Sequence, residues 1–248
     1  MLKIINKMKI ELDMSALLED EFIKQRVKQI AQLKKRNSYY SLNEIDKKLE
    51  RYVNYNNGFY VELGANDGVS QSNTLYFELN KNWNGILIEP TLHKYFLCKA
   101  NRQSKNQIFC NACVDFEFKE KYVDLKYADL MTISSNLNLD IANPVEHINS
   151  GVKWLLKSEE VINYGANPKT LNDILDFAKA PYIIDFLSLD VEGSELSVLK
   201  GINHDKYKFK FMIIEIRDFE RINSFLNSHN YTFIDKFSDH DYLFGYKN

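Results

Sequence analysis

Acidic residues follow three separate apolar segments of the sequence, and this placement makes them the first candidates for chemistry. The segments are residues 86–88, 186–189 and 212–214, and the acids after them are Glu89, Asp190 with Glu192, and Glu215. If these segments are strands of one open parallel sheet, the acids lie at its carboxyl edge, where such sheets bind ligands. A carboxylate there is costly unless a ligand, a cation or water solvates it. The pattern predicts a ligand site, although any one acid could simply be solvated at the edge.

A glycine turn in the preceding part of the chain predicts the other half of this site. Residues 59–63 form an apolar run that breaks at Gly64, a second glycine stands at Gly68, and a helical pattern begins near Asn73. Glycine permits positive φ and close approach of the backbone to a ligand, and a helix start offers unpaired N–H groups. A strand, a glycine turn and a helix in this order are typical of a cradle for a nucleotide-like ligand.

The residues around the turn argue against a ligand held by its phosphates. A dinucleotide fingerprint needs glycine at positions 66 and 69, where this sequence has Asn66 and Val69, and no P-loop sequence is present. Glu62, within the strand, suits a positively charged ligand, and Glu89 suits the two hydroxyls of a ribose. S-adenosylmethionine carries a ribose, an ammonium and a sulfonium but no phosphate, so it is the favoured cofactor.

The order of the predicted elements indicates an α/β fold with a parallel sheet. Strands and helices alternate in β-α-β-α-β order from residue 59 to a third strand at 107–114, which implies right-handed crossovers. Further helices are predicted at 170–178, where Thr170 and Asp173 form a capping box, and at 194–200 and 219–228. Further strands are predicted at 182–190 and 209–216, with a closing hairpin of 231–235 and 241–246.

Two regions fall outside this regular pattern. Residues 1–55 predict a helical extension, with one helix over 13–36 and a second that starts at a capping box of Ser41 and Glu44 and reaches Val53. The extension either covers an edge of the 56–248 domain or pairs with another subunit in a homo-oligomer. Residues 115–170 predict an irregular, substrate-facing insertion, with a hairpin of 116–119 and 122–127. Insertions this long in compact domains are usually functional.

The composition narrows the range of partners and the compartment. The 248 residues contain 32 Lys+Arg and 34 Asp+Glu, and the net charge of -2 gives no basic field for nucleic acid. No apolar run approaches the ~18 residues that a membrane span needs. Because there is no signal-peptide core and the three cysteines suit a reducing environment, a cytoplasmic protein is expected.

Four blocks of the sequence together resemble the FkbM-type S-adenosylmethionine-dependent methyltransferases. They are Glu62-Leu-Gly-Ala-Asn-Asp-Gly68 with residues 72–74, Ile88-Glu-Pro90, residues 185–201, and residues 213–216. The most specific is the Asp-x-Glu-Gly-x-Glu-x-x-x-Leu-Lys-Gly block from Asp190 to Gly201. The resemblance implies a Rossmann-like class I methyltransferase fold: a mostly parallel seven-stranded sheet with an antiparallel C-terminal hairpin, here preceded by the helical extension. It also implies methyl transfer to oxygen, often on sugars or other secondary metabolites.

The resemblance further implies a set of cofactor-binding residues. In chain order these are Glu62 near the ammonium, directly or through the turn, Gly64, Ala65, Asn66, Asp67 and Gly68 at the methionine part, Asn73 and Thr74 at the helix start, Glu89 at the ribose, and Cys113, Val114 and Asp115 beside the adenine. The last three stand at the end of the predicted third strand, where the sequence is less diagnostic.

Asp190, Glu192 and Glu215 are the predicted catalytic residues. Methyl transfer is an in-line displacement at a sulfonium, so the acceptor oxygen must be held ~3 Å from the methyl carbon. A sugar hydroxyl is a poor nucleophile, and a base or a metal ion that lowers its pKa is therefore expected. The three carboxylates could act as the base, bind a divalent cation such as Mg²⁺ or Mn²⁺, or only orient the turn and the cofactor. His240 is a further candidate base, although a solvated loop histidine is the simpler interpretation.

Two other functions stay open beside the favoured one. A nucleic-acid or protein methyltransferase is one, but the slightly acidic chain and the absence of a Pro-Pro pair argue against an enzyme acting on adenine. A non-catalytic module that only binds S-adenosylmethionine is the other. The favoured function is an O-methyltransferase for a small polar acceptor, such as a sugar, a nucleotide-activated sugar or a glycan.

Overall fold

The main sheet has seven strands, and the rest of the chain is arranged around it. The computed structural model describes residues 39–157 and 159–247. Its strands are β1 (Phe59–Leu63), β2 (Asn84–Ile88), β3 (Gln107–Phe109), β4 (Ala112–Val114), β5 (Val123–Tyr127), β6 (Ile133–Ser134), β7 (Ile162–Ala166), β8 (Pro168–Thr170), β9 (Ile183–Leu189), β10 (Lys208–Glu215), β11 (Tyr231–Lys236) and β12 (Asp241–Tyr246). Its α-helices are α1 (Ile45–Leu49), α2 (Leu75–Asn80), α3 (Leu92–Asn101), α4 (Pro144–Gly151), α5 (Leu171–Ala178), α6 (Glu195–Lys200) and α7 (Phe219–Ser228). The predicted helix over 13–36, and with it the expected oligomer contact, lies outside the described residues.

The strand order of the main sheet is β11-β12-β10-β9-β1-β2-β3. Strand β1 is central and parallel to both neighbours, with Val61 opposite Ile86 of β2 and Leu187 of β9. Strands β3 and β10 extend the parallel part, whereas β12 is antiparallel to both β10 and β11. The predicted class I methyltransferase fold, a mostly parallel seven-stranded sheet with an antiparallel C-terminal hairpin, is confirmed. Because five strands are parallel, their carboxyl ends meet at one edge.

Alternate side chains of β1 enter two hydrophobic cores, one on each face of the sheet. Val61 packs in the core that includes Leu175 of α5 and Leu226 of α7. Tyr60 packs in the other core, together with Leu49 of α1. The sheet is therefore covered on both faces and buried at its centre, as parallel sheets usually are. No helix within the described ranges is long and apolar enough to cross a membrane.

Of the two predicted capping boxes, one is present as an N-cap bond of Thr170 and the other is wrong. Thr170 caps α5, since its hydroxyl accepts a hydrogen bond from the backbone N of Asp173 at 3.1 Å. Ser41 makes no such contact with Glu44, whose φ of 55° breaks the helical path. The hydroxyl of Ser41 instead accepts from the backbone N of Asp46 at 2.8 Å and donates to Oδ1 of the same residue at 2.6 Å. Helix α1 is consequently shorter than predicted.

Two strand predictions between residues 107 and 170 are also wrong, because the true pairings are between residues distant in sequence. The predicted third strand, 107–114, is two strands: β3 ends at Phe109 in the main sheet, and β4 pairs instead with β8. The predicted hairpin of 116–119 with 122–127 is absent from the described residues. Strand β5 is instead the centre of a three-stranded antiparallel sheet, β6-β5-β7, in which Leu125 lies opposite Tyr164.

Candidate functional site

A cavity lies at the carboxyl edge of the parallel strands, where the sequence predicted a ligand site. Eight of the predicted site residues line it: Gly64, Asn66, Asn73, Glu89, Cys113, Asp190, Glu192 and Glu215. Seven do not: Glu62, Ala65, Asp67, Gly68, Thr74, Val114 and Asp115. Residues of the insertion, among them Leu125, Met131 and Leu137, complete the wall. The insertion therefore faces the same cavity as the strand ends.

Both glycines of the turn after β1 adopt the left-handed backbone conformation. Gly64 has a φ of 76° and Gly68 a φ of 80°. A Cβ on Gly64 would lie 1.9 Å from the carbonyl oxygen of Asp190, and the backbone N of Gly64 donates to Ile88 O at 3.1 Å. The turn is wedged between the ends of β2 and β9. Glycine is therefore required at position 64 by the protein's own packing, whether or not a ligand is present.

The carboxylate of Glu62 holds this turn and does not line the cavity. Two roles were expected of Glu62, direct contact with the ammonium or an effect on it through the turn. The structure fits the second role. The carboxylate accepts hydrogen bonds from the backbone N of Asn73 at 3.0 Å, from Oγ1 of Thr74 at 2.6 Å and from Oγ of Ser72 at 3.0 Å. The guanidinium of Arg102 donates to Glu62 at 3.1 Å and is itself fully buried. Nothing in the local sequence marked Arg102 as part of the site.

Asp67 and Thr74 also support the turn from within. Oδ1 of Asp67 accepts from the backbone N of Val69 at 2.9 Å and of Ser70 at 2.7 Å. Thr74 is completely buried, and its hydroxyl is bonded to Glu62 and Arg102. A direct contact of either side chain with a ligand would have to replace these bonds. In the structure both side chains shape the turn, and neither lines the cavity.

Two side-chain oxygens in the cavity wall have no hydrogen-bond partner among the described residues. They are Oδ1 of Asn66 and Oδ1 of Asn73, and both atoms are buried. The Nδ2 of Asn73 donates to Oγ of Ser188 at 2.9 Å, which fixes its amide group. Buried acceptors are normally satisfied, because leaving one unpaired costs stability. These oxygens fit a ligand that brings hydrogen-bond donors, such as the ammonium of a methionine moiety.

Glu89 at the end of β2 is arranged to bind a pair of hydroxyls. Its Oε2 accepts from the backbone N of Asn66 at 2.9 Å, and its Oε1 accepts from the backbone N of Thr91 at 2.8 Å. Burial raises the pKa of this carboxyl, and the hydrogen bonds from Thr91 and Asn66 oppose the shift. Glu89 also lines the cavity, where a carboxylate can accept hydrogen bonds from a ligand. The residue therefore fits the ribose role that was expected of it.

The residues expected beside the adenine are separated by the split of the third strand. Cys113 in β4 lines the cavity, together with Asn111 and Ala112. Val114 and Asp115 do not, and their predicted adenine contact is not supported. The backbone N of Asp115 donates to Oγ of Ser197 at 3.2 Å, and this hydroxyl donates in turn to the Asp115 carboxylate at 3.3 Å. Because β4 leaves the main sheet to pair with β8, the chain after Cys113 leads toward α6.

Asp190, Glu195 and Glu215 form a tight acidic group at the ends of β9 and β10. One carboxylate oxygen from each lies within 4.8 Å of the other two. Desolvation by the protein atoms packed around the cavity, followed by the charge of Glu215, raises the pKa of Asp190 well above its ordinary value, although the residue is exposed at the cavity surface. Burial and Glu192 raise the pKa of Glu215 to about 9, against the opposing charge of Arg217. Because like charges this close oppose each other's ionisation, the arrangement favours protonation of part of the group.

Glu192 contacts both His147 and Arg217, and Arg217 also contacts Glu215 of the acidic group. The Oε2 of Glu192 lies 2.8 Å from Nε2 of His147 and 3.1 Å from Nη2 of Arg217. Its φ of 53° and the φ of 91° at Gly193 make the tight turn after β9. Of the expected cation-binding set of Asp190, Glu192 and Glu215, the structure brings Asp190 and Glu215 together with Glu195, whereas Glu192 contacts His147 and Arg217. His147 comes from α4 of the insertion, and no local pattern could have identified it.

A second, more open recess adjoins the cavity beyond β10. It is lined by Leu42, Asn43, Glu44, Lys48, Glu215, Phe237, Ser238, Asp239, His240 and Asp241, of which Leu42, Glu215 and Asp241 also line the cavity. The recess lies between the segment before α1 and the turn of the C-terminal hairpin. His240, considered above as a base, is exposed there rather than placed among the carboxylates.

Comparison with known proteins identifies the family. The model of the methyltransferase FkbM domain matches residues 62–234, more than half of the chain, so the chain belongs to this family. The curated proteins give no match. Among solved structures, M. capricolum TrmK in complex with the natural cofactor product S-adenosyl-homocysteine is similar at 12% sequence identity and a TM-score of 0.38. That similarity covers 81% of this chain and 65% of the TrmK chain. The chain thus spans just under two thirds of that relative.

Proposed function

We propose that the protein is an S-adenosylmethionine-dependent O-methyltransferase that modifies a hydroxyl of a small polar acceptor, of the sugar, nucleotide-activated sugar or glycan class. Family membership supports methyl transfer from S-adenosylmethionine. The observation that carries the proposal is the division of one cavity into two chemical halves. Asn66, Asn73 and Glu89 offer hydrogen-bond acceptors at β1 and β2, and Asp190 and Glu215 offer proton-binding carboxylates at β9 and β10.

In this proposal the first half binds the cofactor. The ribose hydroxyls donate to Glu89, the backbone at Gly64 and Asn66 follows the methionine part, and Cys113 adjoins the adenine. Glu62, Asp67 and Thr74 keep the turn in shape through the bonds described above. When bound, the cofactor supplies an electrophilic methyl group on a sulfonium. Residues 56–248 act as one methyltransferase domain, and residues 115–170 cover the site.

The second half of the cavity accepts the proton of the acceptor hydroxyl. A carboxylate with a raised pKa is a stronger base than an ordinary one, and catalytic bases work best when their pKa lies near the working pH. Whichever of Asp190 and Glu215 is ionised can accept the hydroxyl proton, while the other keeps its own. Glu192, fixed by His147 and Arg217, orients the turn next to them. The acceptor enters through the recess beyond β10, which reaches Glu215 and Asp241.

Two measurements test this function. Calorimetric titration with S-adenosylmethionine and S-adenosylhomocysteine is expected to show one site per chain, and absence of binding at millimolar ligand would refute the proposal. Radiolabelled methyl uptake is then followed on free sugars, nucleotide-activated sugars and glycans, with polynucleotide and protein as comparison acceptors. Each reaction is run after chelation and again with added Mg²⁺ or Mn²⁺, so that any requirement of the acidic group for a cation becomes visible. Methylation of polynucleotide or protein alone would contradict the assignment of the acceptor.

A further inference from the structure

Arg102 binds the turn after β1 from the side away from the cavity. Its guanidinium donates to Glu62 at 3.1 Å, to Gly68 O at 3.1 Å, to Oγ of Ser72 at 3.1 Å and to Oγ1 of Thr74 at 2.8 Å. It also donates to Glu78 at 2.6 Å and to the hydroxyl of Tyr60 at 2.7 Å. A planar guanidinium has five N–H donors in fixed directions. One side chain thus joins the end of β1, the turn and the start of α2.

Asn73 lies within the segment that Arg102 holds, and its Oδ1, like that of Asn66, is a buried oxygen of the cavity wall without a hydrogen-bond partner among the described residues. Its backbone N is bonded to Glu62, and its Nδ2 is bonded to Ser188 of β9. Both contacts leave Oδ1 without a partner among the described residues, although Asn73 is only 9% exposed and lines the cavity. Since the carboxylate of Glu62 is bonded to the turn, this oxygen and Oδ1 of Asn66 are the acceptors that remain in the cavity wall for a cationic group of the ligand, and the amide of Asn73 is held in place by its bond to Ser188.

We propose that Arg102 is a positioning residue for the cofactor: it fixes the turn so that the side-chain oxygen of Asn73 accepts a hydrogen bond from the ammonium of the methionine part. The inference rests on the proposed function, because it takes S-adenosylmethionine as the ligand. Arg102 itself does not line the cavity and acts only through Glu62, Ser72 and Thr74. The negative charge of Glu62 serves to hold Arg102 and the turn and does not bind the ligand directly.

The test uses three ligands that differ only in the methionine part. S-adenosylhomocysteine has the ammonium and the carboxylate, its decarboxylated analogue keeps the amine, and 5′-methylthioadenosine has neither. Arg102→Lys keeps the positive charge but not the five-donor fork. Loss of the hydrogen bond to the ammonium is expected to lower the affinity for the first two ligands by roughly tenfold or more, whereas the affinity for 5′-methylthioadenosine should change by less than about twofold. Asn73→Ala is expected to give the same pattern, and it carries the test if Arg102→Lys does not fold.

A control separates positioning from general loss of stability. Leu226→Ala creates a cavity in the buried part of α7, remote from the turn. At a temperature where it is as destabilised as Arg102→Lys, its affinity ratio between S-adenosylhomocysteine and 5′-methylthioadenosine should equal that of the wild type. If Arg102→Lys and Asn73→Ala lower the affinity for all three ligands equally, the inference is overturned. It is also overturned if they lower the affinity for S-adenosylhomocysteine alone, because that result would point to the carboxylate. A wild-type protein that binds none of the three refutes the proposed function itself.

Discussion

Replacement of Glu215 by glutamine is expected to make the protein more stable at alkaline pH. The pKa of this carboxyl is raised from 4.5 to about 9 in the folded protein by burial and by the charge of Glu192. Between these two values the folded protein binds a proton that the unfolded chain has released. The stability contributed by protonated Glu215 is therefore complete below pH 4.5 and is lost as the pH rises toward 9. A neutral glutamine of similar shape removes this loss.

The size of the effect follows from the proton count. One proton of difference changes the free energy of unfolding by about 1.4 kcal/mol per pH unit, which amounts to about 4 kcal/mol between pH 5 and pH 8. This is an upper value, because Asp190 shares the proton and Arg217 contacts Glu215 at 3.2 Å. We expect Glu215→Gln to match the wild type within about 1 kcal/mol at pH 5 and to exceed it by about 2–4 kcal/mol at pH 8.

Urea unfolding of both proteins at pH 5, 6, 7 and 8 measures this difference directly. Glu220→Gln, an exposed position in the neighbouring helix α7, is the matched control and should leave the pH dependence of the wild type unchanged. The reasoning about the acidic group fails if Glu215→Gln has the same slope of stability against pH as the wild type, or if it is the less stable of the two at pH 8. Such a result would mean that Glu215 is ionised at neutral pH in the folded protein.

Three further outcomes are expected. Binding of S-adenosylmethionine at pH 8 should release more protons than binding of S-adenosylhomocysteine, because the sulfonium lowers the pKa of Asp190 and Glu215. Calorimetry in phosphate and in Tris buffer measures the number of protons released. Equal proton release by the two ligands would contradict the prediction. Gly64→Ala should abolish folding, whereas Gly165→Ala, whose Cβ would be 3.2 Å from the nearest atom, should fold, and thermal melting compares the two. Thr170→Ala should lose about 1 kcal/mol of stability in urea unfolding through loss of the α5 cap, with unchanged affinity for S-adenosylhomocysteine; a change in that affinity would link the cap to the site.

The main sheet could be predicted from the sequence because its signals are local. Strands of apolar residues alternate with helices that have their own start and stop residues, and α7 has the predicted bounds of Phe219–Ser228. The failures occur where pairing is not local. The sequence shows one run over 107–114, but the partner of β4 is β8, and Ala112 lies opposite Pro168. A periodic pattern shows that residues form a strand and does not show which distant strand they pair with.

The site was predictable to the same extent and for the same reason. Carboxylates that follow apolar runs, such as Glu89 and Asp190, reach the carboxyl edge of the sheet as soon as the strands are parallel. Their partners are not encoded nearby: Arg102 stands at the end of α3, and His147 belongs to the insertion. The pattern around Glu62 indicated a charge that needs a cation, and the cation is Arg102 of the chain itself.

The insertion contacts the main domain at the segments that carry the proposed ligand-binding and catalytic groups. The hydroxyl of Tyr164 is 2.8 Å from Oγ1 of Thr91, two residues after Glu89, and His147 pairs with Glu192 after β9. A third contact is the buried ion pair between Lys94 and Asp129 of the insertion. Such a pair is costly to break, because each charge would remain buried without its partner. These contacts lie on both halves of the cavity. The insertion therefore holds the ribose-side loop and the carboxylate turn in a fixed relation, so that the distance between bound cofactor and base depends on residues outside the main sheet.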